Sequence, residues 1–388
     1  MKPTKHLLIF VFTVMTLIAL QAPFNWYFDP YNAFLHKKTQ GINAPTREFS
    51  RRITPFYQSE HLNGSGLILG SSRALSIDSW RYFSADKNVH WNNLWINMAN
   101  INEIRRLLQQ AVAFNEINIV ILGLDFEGFN ANNIRTDFFT KATPALTQEG
   151  KFNPLHVFSQ LELLFSPTTT KASMQVLLDN LRITSKLENL NTQKISTQEK
   201  QETRESFRKN TVTTNNTVVG GFSFEDTTRS VSTFEDLRAI IQTCQTKNVK
   251  LLLFTNPEHA ETLESFHKLG CWASYQEWLR KIARIVADQN MKNPLNSIEL
   301  WNFAGYSTIN TSYIGPDTKW GNNFFSDPSH FNPTVGDFIL DKITGQRLAA
   351  IPAPQDFGII LTPDNVEEVL HLMDINRSLY LEAAKNWN

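Results

Sequence analysis

The chain has 388 residues, enough for one large domain or two modest ones. Hydrophobic residues make up 41% and charged residues 19%, so it can bury a core and is not disordered as a whole. Lys+Arg and Asp+Glu both number 37, and this zero formal charge excludes a dedicated nucleic-acid binder, which carries a basic excess.

Lys2, Lys5 and His6 precede an uncharged run from Leu7 to Leu20, and apolar character continues through Pro23, Phe24, Trp26, Tyr27 and Phe28. Leu7 to Phe28 is roughly 22 residues, about enough for one helix across a ~30 Å hydrocarbon core. The lysines mark the cytoplasmic side, and Trp26 with Tyr27 fits an interfacial belt. The rival reading is a cleaved signal peptide ending at Ala22, but Leu20 suits such a cut poorly and Pro23 would follow it. Residues 1–28 are therefore expected to be a single-pass anchor in a cell inner membrane, with the rest of the chain on the extracytoplasmic, periplasmic side.

Residues 29–63 read as a linker, with Pro30, Pro45, Pro55 and several basic residues. Strand and helix patterns then alternate through 64–350. Gly66–Leu69 is a short buried strand that runs into Gly70, Ser71 and Ser72, and Asn93–Met98 is a second candidate. Asn100 and Glu103 make a capping-box start for a helix whose Ile104, Leu107, Leu108, Ala111 and Val112 keep helical spacing. Ile119–Leu124 is a third strand, followed by helical patterns across 153–187. Residues 188–230 are rich in Gln, Thr, Asn, Lys and Glu and lack apolar period, so they read as a polar insertion. Ser232 and Glu235 form a second capping box for a helix to Lys247. Val249–Thr255 and Ile298–Phe303 are the fourth and fifth strands, with helices between them at 258–268 and 272–289. Pro333 opens a helix to Ile343, and the tail 351–388 carries one from Asn365.

Strands separated by such helices predict an α/β fold. The expected form is a three-layer sandwich around a mostly parallel five-stranded sheet. Chemistry in such sheets gathers at the carboxyl ends of the strands. That selects Gly70–Arg73, Met98–Asn102, Gly123–Asn130 and Thr255–His259, with Phe325–His330 closing over them.

Small residues in Gly70-Ser71-Ser72-Arg73 allow a tight turn that exposes a hydroxyl, with amide N–H groups facing an oxyanion. An ordinary serine-capped turn has the same composition. Asp327-Pro328-Ser329-His330 can supply a base and its orienting carboxylate from one turn. A surface turn with Pro in second place is the plain alternative. A metal pair is discounted, since no second histidine or carboxylate cluster of ligand spacing lies nearby in sequence.

Together the two motifs resemble the SGNH/GDSL hydrolase superfamily. The resemblance covers roughly 64–345 and implies a flavodoxin-like fold with Ser72 as nucleophile and Asp327 and His330 completing its triad. It is closest to membrane-anchored, envelope-facing members linked to exopolysaccharide or teichoic-acid modification, such as alginate acetylation and teichoic-acid D-alanylation proteins. The likenesses are the Gly-Ser-Ser-Arg turn, Leu122-Gly123-Leu124-Asp125-Phe126, Ser329-His330-Phe331-Asn332-Pro333, and the anchor followed by Phe28-Asp29-Pro30-Tyr31.

Two departures stand out. The family's second block supplies a Gly to the oxyanion hole, whereas Asn97–Asn102 has none and offers Asn100 or Asn102 as donor. The third block supplies an Asn, and Asp125 stands in its place, where an ionised carboxylate only accepts hydrogen bonds.

The resemblance implies an ester hydrolase or O-acyltransferase that works on a cell-envelope polysaccharide with an acyl donor and needs neither cofactor nor metal. The departures favour the alternative of a catalytically weak glycan-binding or assembly protein beside a membrane acyltransferase. Arg73 would bind a substrate anion or pair with Asp125, and His259 would line the cleft or start a helix. Trp80, Trp91, Trp95, Trp301 and Trp320 suit sugar stacking or plain packing. Cys244 and Cys271 would pair in an oxidising compartment or remain separate buried thiols.

Overall fold

Strands buried on both faces read as unbroken apolar runs. In a computed structural model, two such runs, Ile119–Leu124 and Lys250–Thr255, lie side by side in the middle of the sheet. The structure describes residues 3–34, 36–45, 50, 52–77, 90–133, 145–147, 150–189, 221–228, 231–313, 324–347 and 349–386. Most of the expected insertion 188–230, together with Trp80 and Trp320, lies outside the described residues. The chain divides into two compact units, one formed by 1–61 with 135–197 and the other by 62–134 with 198–388.

The strands of the larger unit are β1 (Gly66–Leu69), β2 (Trp91–Asn93), β3 (Ile119–Leu124), β4 (Glu225–Asp226), β5 (Val231–Ser232), β6 (Lys250–Thr255), β7 (Leu300–Asn302), β8 (Phe325–Asp327), β9 (His330–Phe331) and β10 (Ile359–Ile360). Six of them form one sheet in the order β10-β7-β6-β3-β1-β2, while β4–β5 and β8–β9 are separate antiparallel pairs. Within the sheet Gly66 faces Trp91 on one side and Ile119 on the other, Ile119 faces Lys250, and Leu253 faces Leu300, all in parallel register. The fold is thus α/β with a mostly parallel sheet.

The count of five strands is corrected to six. The additional strand, Ile359–Ile360, pairs antiparallel with Trp301 and Asn302. Two residues are too few to show a strand's alternating period, which is why the tail reads as helix alone. The second strand also starts earlier than its apolar pattern suggests, at Trp91. Beyond Asn93 the chain still follows β1, with the N–H groups of Leu94 and Ile96 donating to the carbonyls of Ile68 and Gly70.

Side chains alternate across the strands. Ile68, Ile121, Leu252 and Phe254 join Phe325, Phe331 and the helix Pro333–Thr344, through Val335, Phe338 and Ile339, in one core cluster. Leu67, Leu69, Val120, Leu122 and Leu253, equally buried, point the other way. The helix Ile101–Phe114 carries the expected reciprocal cap of Asn100 and Glu103. Its counterpart at Ser232 does not form, because Ser232 ends β5 and makes no side-chain cap bond. The Thr233 amide and hydroxyl both bond the Phe224 carbonyl there. Cys244 and Cys271 are buried and unpaired with each other.

The smaller unit is helical: Pro3–Phe28, Ile53–Gln58, Leu155–Phe165 and Pro167–Asn189. Lys5–Phe28 is long and apolar enough to cross a membrane, and its most apolar stretch is not buried in protein at all. The chain leaves this helix in an ordered turn, where the Asp29 carboxylate accepts the N–H groups of Ala33 and Phe34 and pairs with Lys38 at 3.1 Å.

Candidate active site

Parallel strands deliver their following loops to one edge, so β1, β3 and β6, adjacent in the sheet, bring Gly70–Arg73, Asp125–Glu127 and Asn256–Glu258 together. Gly70 breaks the strand with φ 153°, a value that other residues rarely adopt. The buried Ser71 caps the one-turn 3-10 helix Ser72–Ser76, its hydroxyl accepting the Arg73 N–H and its carbonyl the Ala74 N–H. Ser72, one residue on, is half-buried and keeps its hydroxyl for another partner.

That partner comes from the β8–β9 hairpin. The Asp327 Oδ1 accepts the N–H groups of Ser329 at 2.8 Å and His330 at 3.0 Å, an Asx-type turn that sets the spacing of the two side chains. His330 Nδ1 lies 2.7 Å from Asp327 Oδ2, and His330 Nε2 lies 2.7 Å from Ser72 Oγ. With the Nδ1 proton directed at the carboxylate, Nε2 is left to accept the serine proton. Burial alone would raise the Asp327 pKa, but the His330 bond and charge and the two backbone N–H bonds outweigh it and hold the carboxyl below its ordinary value.

The hairpin is fastened on two sides. The Pro328 carbonyl accepts the His259 N–H at 3.0 Å and the Thr262 hydroxyl at 2.8 Å. Arg73 Nε donates to the Ser329 carbonyl at 2.7 Å, and the Ser76 hydroxyl donates to the Phe331 carbonyl. The turn that carries Ser72 therefore also grips the turn that carries His330.

Arg73 points inward, away from the half-exposed hydroxyl. Its guanidinium meets Asp125, Glu258 at 2.7 Å and Glu127 at 3.2 Å. Carboxylate oxygens of these three residues lie within 4.8 Å of one another, and the guanidinium is the cation among them. Burial would lower the Arg73 pKa, yet the three carboxylates raise it. Burial pushes Glu258 well above the usual carboxylate range, and the charges of Glu127 and Asp125 push the same way against Arg73. Of these carboxyls, Glu258 therefore holds its proton more readily than an ordinary carboxyl does. Asp125 also accepts the Asn256 side-chain N–H at 2.8 Å. A Cβ on Gly123 would come within 2.6 Å of Asn256 Oδ1, so that approach needs glycine. Sequence reasoning marked these loops but missed Glu127, Asn256 and Glu258, whose only signal is their position just past strand ends.

The remaining sequence candidates have structural roles. Asn100 accepts the Glu103 N–H as a helix cap, and Asn102 donates to Asp236 at 3.1 Å. His259 is buried, its Nδ1 accepting the Glu261 N–H and its Nε2 lying 2.9 Å from the Ser312 carbonyl. Arg73 is occupied by its carboxylates rather than open to a substrate anion. In the stretch Asn97–Asn102, Met98 has φ 50°, in the left-handed region that favours glycine. Among the described residues, the Ser72 N–H has no hydrogen-bond acceptor, so it can face an oxyanion formed at its own hydroxyl. No protein-family model matches the chain, and no curated protein matches it significantly.

Proposed function

We propose that this chain is a membrane-tethered, extracytoplasmic ester hydrolase or O-acyltransferase of the SGNH type, acting on a cell-envelope glycan. The observation that carries this reading is the unbroken hydrogen-bonded chain Ser72–His330–Asp327 at the carboxyl edge of β1. Ser72 Oγ attacks the acyl carbonyl while its proton passes to His330 Nε2. Asp327 keeps the imidazole in the required tautomer and stabilises the imidazolium. The tetrahedral intermediate collapses as the alkoxide leaves with the proton from His330, giving an acyl-serine. Water then releases the acid, or a sugar hydroxyl takes the acyl group, with His330 again accepting the attacking proton.

The Ser72 N–H is the oxyanion donor in this reading. Asp125 supplies none, but its charge is engaged by Arg73, so it opposes a developing oxyanion less than a free carboxylate does. A three-layer SGNH-type sandwich is part of the same proposal. It is supported by the Gly-Ser turn after the first strand, the parallel order, and Asp-x-x-His just before the helix Pro333–Thr344. The lysine-flanked apolar helix supports an inner-membrane anchor with the site outside.

A fluorophosphonate probe on the full chain in membranes, followed by peptide mapping, tests the reading. We expect the label on Ser72. A folded wild-type protein that takes no label rejects the enzyme and leaves the glycan-binding or assembly role beside a membrane acyltransferase, which the absent second-block glycine and third-block asparagine favour.

A further inference from the structure

A surface helix surrounded by water turns its apolar side inward. The helix Leu155–Phe165 does the reverse. Its buried residues are His156, Ser159 and Leu163. His156 lies 3.2 Å from the Glu60 carboxylate, and the Ser159 hydroxyl meets the Tyr57 hydroxyl at 3.3 Å. Its outward residues are Leu155, Val157, Phe158, Leu161 and Phe165, between 46% and 66% exposed, with Glu162 the one charged side chain exposed among them. Phe152, just ahead, is 61% exposed. The following helix, Pro167–Asn189, continues the surface with Met174, Leu178 and Leu181 at helical spacing, all exposed. Outward aromatic and aliphatic side chains over an inward polar network fit a surrounding medium less polar than water.

What lies against this face is indicated by what the two helices are attached to. Both pack on Pro3–Phe28, the helix that is long and apolar enough to cross a membrane. The attachment is polar and lies near the carboxyl end of that helix. Gln21 donates to the Phe165 carbonyl at 3.0 Å and to the Thr170 hydroxyl at 2.7 Å. Asn25 donates to the Leu164 carbonyl at 2.8 Å and to Thr170 at 3.0 Å. The last carbonyls of a helix have no partner within it. In or beside hydrocarbon they must find one in protein, and here two amides of the anchor helix supply it. Eleven residues span only about 16 Å, too short to cross a bilayer but suited to its interface. The exposed Lys151 and Lys171 on either side suit phosphate headgroups.

We propose that Phe152 and the outward face of Leu155–Phe165 dock into the acyl boundary of the leaflet where the anchor helix ends. The smaller unit is then an interfacial platform around the anchor rather than a bare stalk. The proposal rests on reading Pro3–Phe28 as a membrane span, and the test separates the two. Phe158→Cys, Phe12→Cys and Leu295→Cys are each made in the full chain, labelled with an environment-sensitive NBD fluorophore, and reconstituted in phosphatidylethanolamine–phosphatidylglycerol vesicles. The two native cysteines are buried, and the unsubstituted chain gives the labelling background. Nitroxide-bearing phosphatidylcholine is then added as quencher. We expect loss of emission at positions 12 and 158 and none at 295, with Leu161→Cys behaving as 158 does. Quenching at 12 while 158 and 161 match 295 overturns the docking face and leaves the span standing. No quenching at 12 overturns the span, and this proposal with it.

Discussion

Ser72 and Arg73 are adjacent in the chain and belong to one turn, yet they serve two different environments. Ser72 is half-buried and makes one side-chain bond, to His330, which is itself 37% exposed. Arg73 is buried and meets three carboxylates and a carbonyl. The first arrangement keeps the serine oxygen within reach of solvent. The second ties the ends of β1, β3 and β6 to the hairpin that holds His330. A nucleophile of the proposed kind needs little of the fold for its own contacts but much of it for its position, and here the neighbouring residue would supply that position.

This contrast can be broken experimentally. The largest effect is expected from Ser72→Ala, which removes the proposed attacking atom. Probe labelling should vanish and any ester turnover should fall on the order of 10⁴-fold or more, while urea denaturation shows stability within about 1 kcal/mol of wild type. Unchanged labelling would reject the site assignment. Arg73→Met should invert the pattern. It leaves buried carboxylates without their cation and should cost about 3–5 kcal/mol of stability in the same titration. A variant as stable as wild type would show that the cluster holds nothing together.

The two environments should also respond oppositely to pH. The Asp327 pKa is lowered by folding, so its contribution is present above the ordinary carboxylate range and is lost as pH falls through its folded value. The Glu258 pKa is raised by folding, so its contribution is complete below the ordinary carboxylate pKa of ~4.3 and is lost as pH rises through the higher folded value. Glu258→Gln mimics the neutral acid and should flatten that alkaline-side loss in denaturation curves taken across pH, whereas Asp327→Asn should change only the acid side. Identical profiles for Glu258→Gln and wild type would count against an upward shift at Glu258. The smallest effect is expected at Met98→Gly. Relief of a left-handed backbone and a freer unfolded chain oppose each other, leaving less than about 1 kcal/mol net. A loss well beyond that would mean that the Met98 side chain holds the stretch Asn97–Asn102 in place.

Much of the candidate site's geometry was legible before the fold was known. Asp327 and His330 share one turn, so their pairing is local, and the resemblance supplied Ser72 as the third member although it lies 258 residues from His330. The Arg73 cluster was only half legible. Its link to Asp125 was one of two readings of the neighbouring motif, but the partners Glu127 and Glu258 give no periodic or motif signal. They act through strand order, which juxtaposes loops distant in sequence. Asn102 and His259 illustrate the converse: both occupy flagged loops, yet Asp236 and the Ser312 carbonyl claim their side chains.

The sequence by itself determined the apolar amino-terminal helix, the central parallel strands and the cap at Asn100. Each depends on composition or on spacing within a few residues. Only the tertiary structure decided the sixth strand, the carboxylates around Arg73 and the side on which Leu155–Phe165 is covered. Periodicity states that a helix has two faces. Which face is buried depends on what packs there, and for this helix that includes Tyr57 and Glu60, roughly a hundred residues earlier in the chain, together with the apolar amino-terminal helix.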